Sequence, residues 1–370
     1  MSHRPPRKER IEHPGRPLAT AKIHETRPHR NQNPVKARRI GLGVAVALAF
    51  ALAAALLTLA LRPHRTTGSA PGPVPGSASA PAPGGCRDGR HPCGFPDAAT
   101  TGVPAGVVLR SVPGQISSGP GWHFDPRGWV QVDGNGAVLS GLYIPHSVNV
   151  AASHVTIEDV RIVVSGQGPG VGLQHAHDVT IKDSDIHSPE AGAARLMVGV
   201  KDIYGDSTGT RVLRDNIWHT ATGVQMEAGL IEDSYIHDPG FRPGDHVNGV
   251  TSNGGKTALL TVRHNTILID RRQTDAIGLF EDFGVQANRV IKDNLLAGGG
   301  YTIYGGQNPG GPAAHNIVIT GNRFIRIYYP HGGYYGHIVR FDPRGSGNVW
   351  YGNAWASNTR YETAIAIAGP

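Results

Sequence analysis

Between Gly141 and Asn353 the chain alternates short apolar runs with polar corners, and the pattern returns about every 20 to 30 residues. Apolar and polar residues alternate, a corner of Asp or Gly followed by Asn or Ser interrupts them, and another apolar residue follows. Copies include Thr156-Ile157-Glu158-Asp159-Val160-Arg161-Ile162, Thr180-Ile181-Lys182-Asp183-Ser184-Asp185-Ile186 and Val290-Ile291-Lys292-Asp293-Asn294-Leu295. Counted at the residue before the Asn or Ser, or before Val160 in the first copy, the corners fall at 159, 183, 215, 233, 264, 293, 321 and 352. Alternation with period two marks strands. Strands this short bury an apolar face only by stacking on their neighbours, so the pattern predicts a solenoid.

The corners narrow the choice of solenoid. Asn takes the left-handed backbone conformation at low cost, and a neighbouring Gly or Asp completes the turn. Coils stacked at about 4.8 Å bring like residues above like. Asn216, Asn265, Asn294, Asn322 and Asn353, with Ser184 and Ser234 in the same slot, are therefore expected to form a hydrogen-bonded ladder. A β-sandwich rich in Asn-containing turns is the competing reading, and the lack of hairpin-like pairing between adjacent runs counts against it. Strictly spaced hexapeptides are absent. The irregular coil length over residues 99–362 resembles the right-handed parallel β-helix of the pectate-lyase-like superfamily, an all-β fold. The stretch Pro96 to Gly106 is similar to the lead-in of actinobacterial extracytoplasmic β-helix proteins.

Charge is concentrated at one end. Residues 1–39 carry eleven Lys or Arg against three acids, and the remainder is close to neutral, so the basic pI belongs to a tail. The repeat region thus has no electrostatic motive for binding nucleic acid. Residues 40–61 form an uncharged apolar stretch that as a helix would reach about 33 Å, enough to cross a bilayer. The cationic cluster before it predicts a cytoplasmic N-terminus and an extracytoplasmic repeat domain. Secretion after cleavage near Thr67-Gly68-Ser69-Ala70 is the alternative. Residues 62–85 read as a Pro/Ala/Gly/Ser spacer. Residues 86–98 hold the only two cysteines, Cys86 and Cys93, expected to close a disulfide loop on the oxidising side of the membrane. A zinc site there lacks ligands, since only His91 accompanies them.

A second strand in each coil precedes the corner. Its copies align as Gly172-Leu173-Gln174, Gly199-Val200-Lys201, Gly223-Val224-Gln225, Gly249-Val250-Thr251, Ala276-Ile277-Gly278 and Thr302-Ile303-Tyr304. With the aliphatic residue pointing into the bore, the residues on either side are expected to face outward, giving a glycine floor beside a polar column. Gln174, Gln225, Glu227, Asn248, Thr251, Arg271 and Tyr334 are the candidate substrate-binding residues, and Lys201, His246 and Asp275 the candidate catalytic ones. The run Gly244-Asp245-His246-Val247-Asn248-Gly249-Val250-Thr251 is similar to the His-x-Asp-Gly-Ile-Gln pattern of related β-helix proteins, with Asn248 replacing the acid and Thr251 the Gln.

β-Elimination on a uronate needs a cation beside the carboxylate and a base; Lys201, Arg271 or Arg272 would supply the first and His246 or Lys201 the second. Hydrolysis needs two carboxyls, with Asp202, Glu227, Asp245, Asp275 and Glu281 as candidates. The Asp-Asp and Gly-His-Gly runs of polygalacturonases, the Trp-Ile-Asp-His and Arg-x-Pro-x-x-Arg runs of pectate lyases and the Tyr-Gly-Phe-Asp-Pro-His run of alginate epimerases are all missing. The sequence therefore points to a membrane-tethered protein acting on polysaccharide, as a lyase first and a hydrolase second. The alternative is a non-catalytic solenoid that binds a cell-surface glycan or serves a structural role. It assigns no metal site and no cofactor, with calcium left as the open possibility, and it leaves the oligomeric state open.

Overall fold

A computed structural model describes Pro92 and residues 94–192, 194–356 and 361–365 of the chain. The basic tail, the apolar stretch 40–61, the spacer and the Cys86 to Cys93 pair lie outside the described residues. The described part is a parallel β-solenoid of the right-handed type with about nine turns. A typical coil contributes three strands, such as Leu196–Asp202, Arg211–Leu213 and Asn216–Trp218. The first of each set joins an 11-stranded sheet, and the two that flank the corner join an 18-stranded one. Coil stacks on coil in parallel register: Val200 pairs with Val224, Val224 with Val250, Val250 with Ile277 and Ile277 with Ile303. All five are buried and line the bore. Burying such side chains stabilises by about 1.5–3 kcal/mol each, and this apolar column keeps the stack in register.

The first strands depart from the repeat. Trp122–Asp125 pairs antiparallel with Trp129–Val132, which only then pairs in parallel with Ser147–Val150. Terminal units of a solenoid have one uncovered face and are atypical for that reason. A second, smaller apolar cluster lies apart from the bore, where Phe95 and Tyr328 pack against Tyr235, Leu268, Leu295 and Ala297.

The expected ladder exists, with one position reassigned. Asn294 Nδ2 donates to Asn322 Oδ1 at 2.9 Å and to Val262 O at 2.9 Å, while its own Oδ1 accepts from the Asn265 backbone N–H at 2.9 Å. The same pattern links Asn322 to Asn353. Further up, the slot is held by Ser234, whose N–H donates to Asn265 Oδ1, and by Ser184. Between them stands Asp215, not Asn216: the Ser184 N–H donates to Asp215 Oδ1 at 2.9 Å, and the Asp215 N–H donates to Ser234 Oγ. Asn216 instead begins the next strand, beside Asp185. The left-handed residue is also not the Asn but the one before it, with φ of 54° at Asp159, 54° at Arg214, 52° at His264, 54° at Asp293 and 68° at Gly321. The division of labour is physical. The preceding residue makes the corner, which leaves the Asn amide free to bridge coils.

Candidate functional site

The glycine column does not face outward. A Cβ at Gly223 would lie 2.6 Å from Ile236 Cγ2 and 2.6 Å from the Gly249 carbonyl, and a Cβ at Gly199 would lie 2.9 Å from Ile217 Cγ2. Ile217 and Ile236 belong to the core, as does Ala276, which follows Gly249 in the column. The strand thus turns two successive positions into the bore. Only glycine or alanine fits the first of them. The consequence for the outer face is a shift in register. The residue preceding each glycine and the residue following each aliphatic form two outer columns: Val198, Thr222, Asn248 and Asp275, then Lys201, Gln225, Thr251, Gly278 and Tyr304. Gln174 drops out of the second column, because Gly172 pairs with Lys201 and Gln174 falls beyond the strand Gly166–Leu173.

Asp275 stands at the centre of this face. Its side chain has no exposed surface, and among the described residues neither carboxyl oxygen has a hydrogen-bond partner. Asn248 Oδ1 and Thr251 Oγ1, buried on the neighbouring strand, are also without partners, while Asn248 Nδ2 donates to Thr222 Oγ1 at 3.3 Å. Burial with no compensating charge or hydrogen bond pushes the Asp275 carboxyl well above the ordinary carboxylate range, which favours its protonated form. The carboxyl leans toward Gly278, where a Cβ would lie 2.7 Å from Asp275 Oδ2. His246, exposed at the rim, meets Thr274 Oγ1 through Nδ1 at 3.3 Å.

Aromatic rings carry on from this carboxyl in one unbroken series. Phe280 lies 5.3 Å from Tyr304, Tyr304 5.7 Å from Tyr301, Tyr301 5.6 Å from Tyr335, and Tyr335 4.8 Å from Tyr334. Burial and the Asp275 carboxyl raise the Tyr304 phenol above its ordinary value. The loop bearing Tyr334 and Tyr335 bonds to the chain before Tyr301 through Tyr334 N to Gly299 O at 2.8 Å and Tyr335 N to Gly300 O at 2.7 Å. Arg272 lies over the Tyr334 ring at 4.8 Å. A hollow of about 950 Å³ opens alongside, lined by Tyr301, Tyr335, His331 and Arg340. Phe280, Tyr301 and Tyr304 were not among the sequence candidates, whereas Tyr328, Tyr329, Tyr334 and Tyr335 were expected to offer flat faces to sugar rings. The signal was available for Tyr304, which follows Ile303 as Gly278 follows Ile277.

Of the sequence candidates, Asp275, Asn248 and Thr251 come together on paired strands, and His246 stands outside them, exposed and meeting Thr274 and Gln273. Lys201 and Gln225 do not join them. They line a separate hollow of about 320 Å³ with Lys256, Tyr204 and an exposed Phe283. Lys201 is three rungs from Gly278, about 14 Å along the stack. Glu227 borders that hollow, but its carboxylate accepts from Ser252 Oγ at 2.7 Å, Asn253 N at 2.6 Å and Gly254 N at 3.1 Å, and meets buried Arg289 at 3.4 Å. That carboxylate holds a turn together. Arg271 pairs with Asp270 at 3.2 Å and lies over Phe241. Asp245, next to His246, is clamped by buried Arg195, which holds its carboxyl below the ordinary range. Among the described residues no cluster of three or more His, Cys, Asp or Glu is placed to hold a metal. The Asp275 surroundings offer one carboxyl and neutral oxygens, a poor match to the six to eight oxygen ligands of calcium.

Comparison with family models, with curated proteins and with solved structures gave no match to this chain.

Proposed function

We propose that the chain is a membrane-tethered, extracytoplasmic β-solenoid enzyme that cleaves polysaccharide, with Asp275 as the acid that protonates the departing glycosidic oxygen. The observation that carries this reading is the wholly buried, unpartnered Asp275 carboxyl on the outer sheet face, whose burial favours the protonated form. A general acid must hold its proton at working pH, and burial is the usual means of ensuring that. Asn248 and Thr251 offer partnerless oxygens to sugar hydroxyls beside it, and the tyrosine series offers flat faces for sugar rings. His246, at the rim, takes the part that a second carboxylate plays in most hydrolases, as the base that activates water. Hydrolysis stands ahead of elimination, because Lys201 is three rungs away and Arg271 is already paired with Asp270. The tether rests on the apolar stretch 40–61 behind a cationic tail.

The full-length protein in detergent, offered acidic and neutral polysaccharides, tests the reading. New reducing ends without ultraviolet-absorbing unsaturated ends mark hydrolysis, and unsaturated ends mark elimination. A second reading, a glycan-binding surface without turnover, is favoured by Tyr335, which is 65% exposed at the end of the ring series. Retention of a polysaccharide with no new ends of either kind would select it.

A further inference from the structure

We infer that the Phe280 ring is the gate of the Asp275 site, closing the carboxyl off from the groove and admitting a sugar by side-chain rotation. The importance of the gate rests on the reading of Asp275 as proton donor, whereas its existence is tested without any substrate. The geometry begins at Gly278. A Cβ there would meet Asp275 Oδ2 at 2.7 Å and Phe280 Cζ at 2.8 Å, so the carboxyl and the ring share the space above one glycine. Asp275 is 0% exposed while Phe280 is partly exposed, which makes the ring a boundary between the acid and solvent.

The other covering groups are fixed more firmly. Tyr304 belongs to the strand Tyr301–Gly305, in register with Gly278. Tyr335 rides on a loop held by three backbone hydrogen bonds, Gly298 N to Gly332 O, Tyr334 N to Gly299 O and Tyr335 N to Gly300 O. What sets Phe280 apart from both is contact: the three atoms nearest a Cβ at Gly278 are Asp275 Oδ2 and two carbons of the Phe280 ring, with none from either tyrosine. Phe280 lies just past the end of the strand Asp275–Leu279, before exposed Asp282 and Phe283. Its ring can turn toward them with its backbone still bonded to Ser252 O. Rotation of a partly exposed side chain is fast, on the picosecond to nanosecond scale.

Carboxyl labelling reads the gate directly. The full-length protein is treated with a water-soluble carbodiimide and an amine at mildly acidic pH, and modification of Asp275 is measured by peptide mass spectrometry against exposed Asp282. In the wild type Asp275 should label far more slowly than Asp282, and Phe280→Ala should accelerate it roughly tenfold or more, as expected when local protection is lost. Phe280→Leu should give a smaller rise, and Tyr335→Ala little change. An unchanged melting transition confirms that each variant is folded. Equal labelling of Asp275 in the wild type and Phe280→Ala would overturn the gate, as would an equally large acceleration by Tyr335→Ala. Loss of polysaccharide cleavage plays no part in the result, so failure of the gate and failure of the enzymatic reading are separable.

Discussion

The side-chain amide of Asn294 donates to Asn322 Oδ1 at 2.9 Å while its own oxygen accepts from the amide of Asn265 at 3.0 Å, so one residue ties three coils together. Asn353 makes these bonds to the preceding coil alone, accepting from Asn322 and donating to Ile319 O. Replacing Asn294 by Val should therefore cost about 1–3 kcal/mol, from the loss of shared hydrogen bonds and the buried partners left unsatisfied. Asn353→Val should cost less. Denaturant unfolding of the two variants gives the comparison, and equal destabilisation would count against cooperative bridging.

Asp215 stands where the pattern elsewhere has Asn or Ser, fully buried with Oδ2 unpartnered. Burial raises its carboxyl well above the ordinary carboxylate value. For a carboxyl raised in the folded state, stability is fullest below that ordinary value and falls as pH rises from there toward the folded value. Asp215→Asn keeps the acceptor for the Ser184 amide and removes the titration. It should stabilise the protein at pH 7, because the wild-type carboxyl ionises more readily in the unfolded chain and so favours unfolding there. At pH 3 the two proteins should unfold alike. A variant no more stable than the wild type at pH 7 would contradict the raised value.

These two cases show how much of the fold is written in the chain. The period-two alternation and recurring corners identify a stacked solenoid, and Asn265, Asn294, Asn322 and Asn353 stand in the slot their spacing implies. Asp215 and Asn216 were exchanged because both suit a corner, and only the pairing of Ser184 with Asp215 separates them. The outer face was harder to read. Strict alternation sends Gly199, Gly223 and Gly249 outward, but two successive positions face the bore where the strand turns. Asn248 was legible from the run Gly244 to Thr251 and Asp275 from its place one coil on, and the register pairs the two. The separation of Lys201 from them depends on coil height, which the local pattern does not encode.

Arg195 and Asp245 join two loops through a buried bidentate pair, with Nε to Oδ2 at 2.7 Å and Nη2 to Oδ1 at 2.6 Å. Arg195→Ala strands the carboxylate in the interior. Destabilisation of about 3–5 kcal/mol is expected, as for breaking a buried pair from one side. Replacing both residues by Leu should recover much of that loss, and thermal unfolding of the single and double variants will measure the difference.

Lys201 lines the smaller hollow, three rungs from the Asp275 site. With a polysaccharide that the protein cleaves, Lys201→Ala should raise KM by about tenfold or less and leave kcat near the wild-type value, because it removes binding away from the reacting bond. A fall in kcat of about a hundredfold at unchanged KM would return Lys201 to the chemistry and favour elimination.

Asp275 carries the central claim, and removing its proton while keeping its shape tests that claim. Asn at this position has a similar size, no titration and no proton to give to a leaving oxygen. The rate at which full-length wild type and Asp275→Asn release new reducing ends from the same polysaccharide is the decisive measurement. Turnover should drop by about a hundredfold or more, as for a lost general acid, while the melting temperature at pH 7 rises because a buried ionisable group has gone. Wild-type turnover in Asp275→Asn would contradict the assignment of Asp275 as the acid.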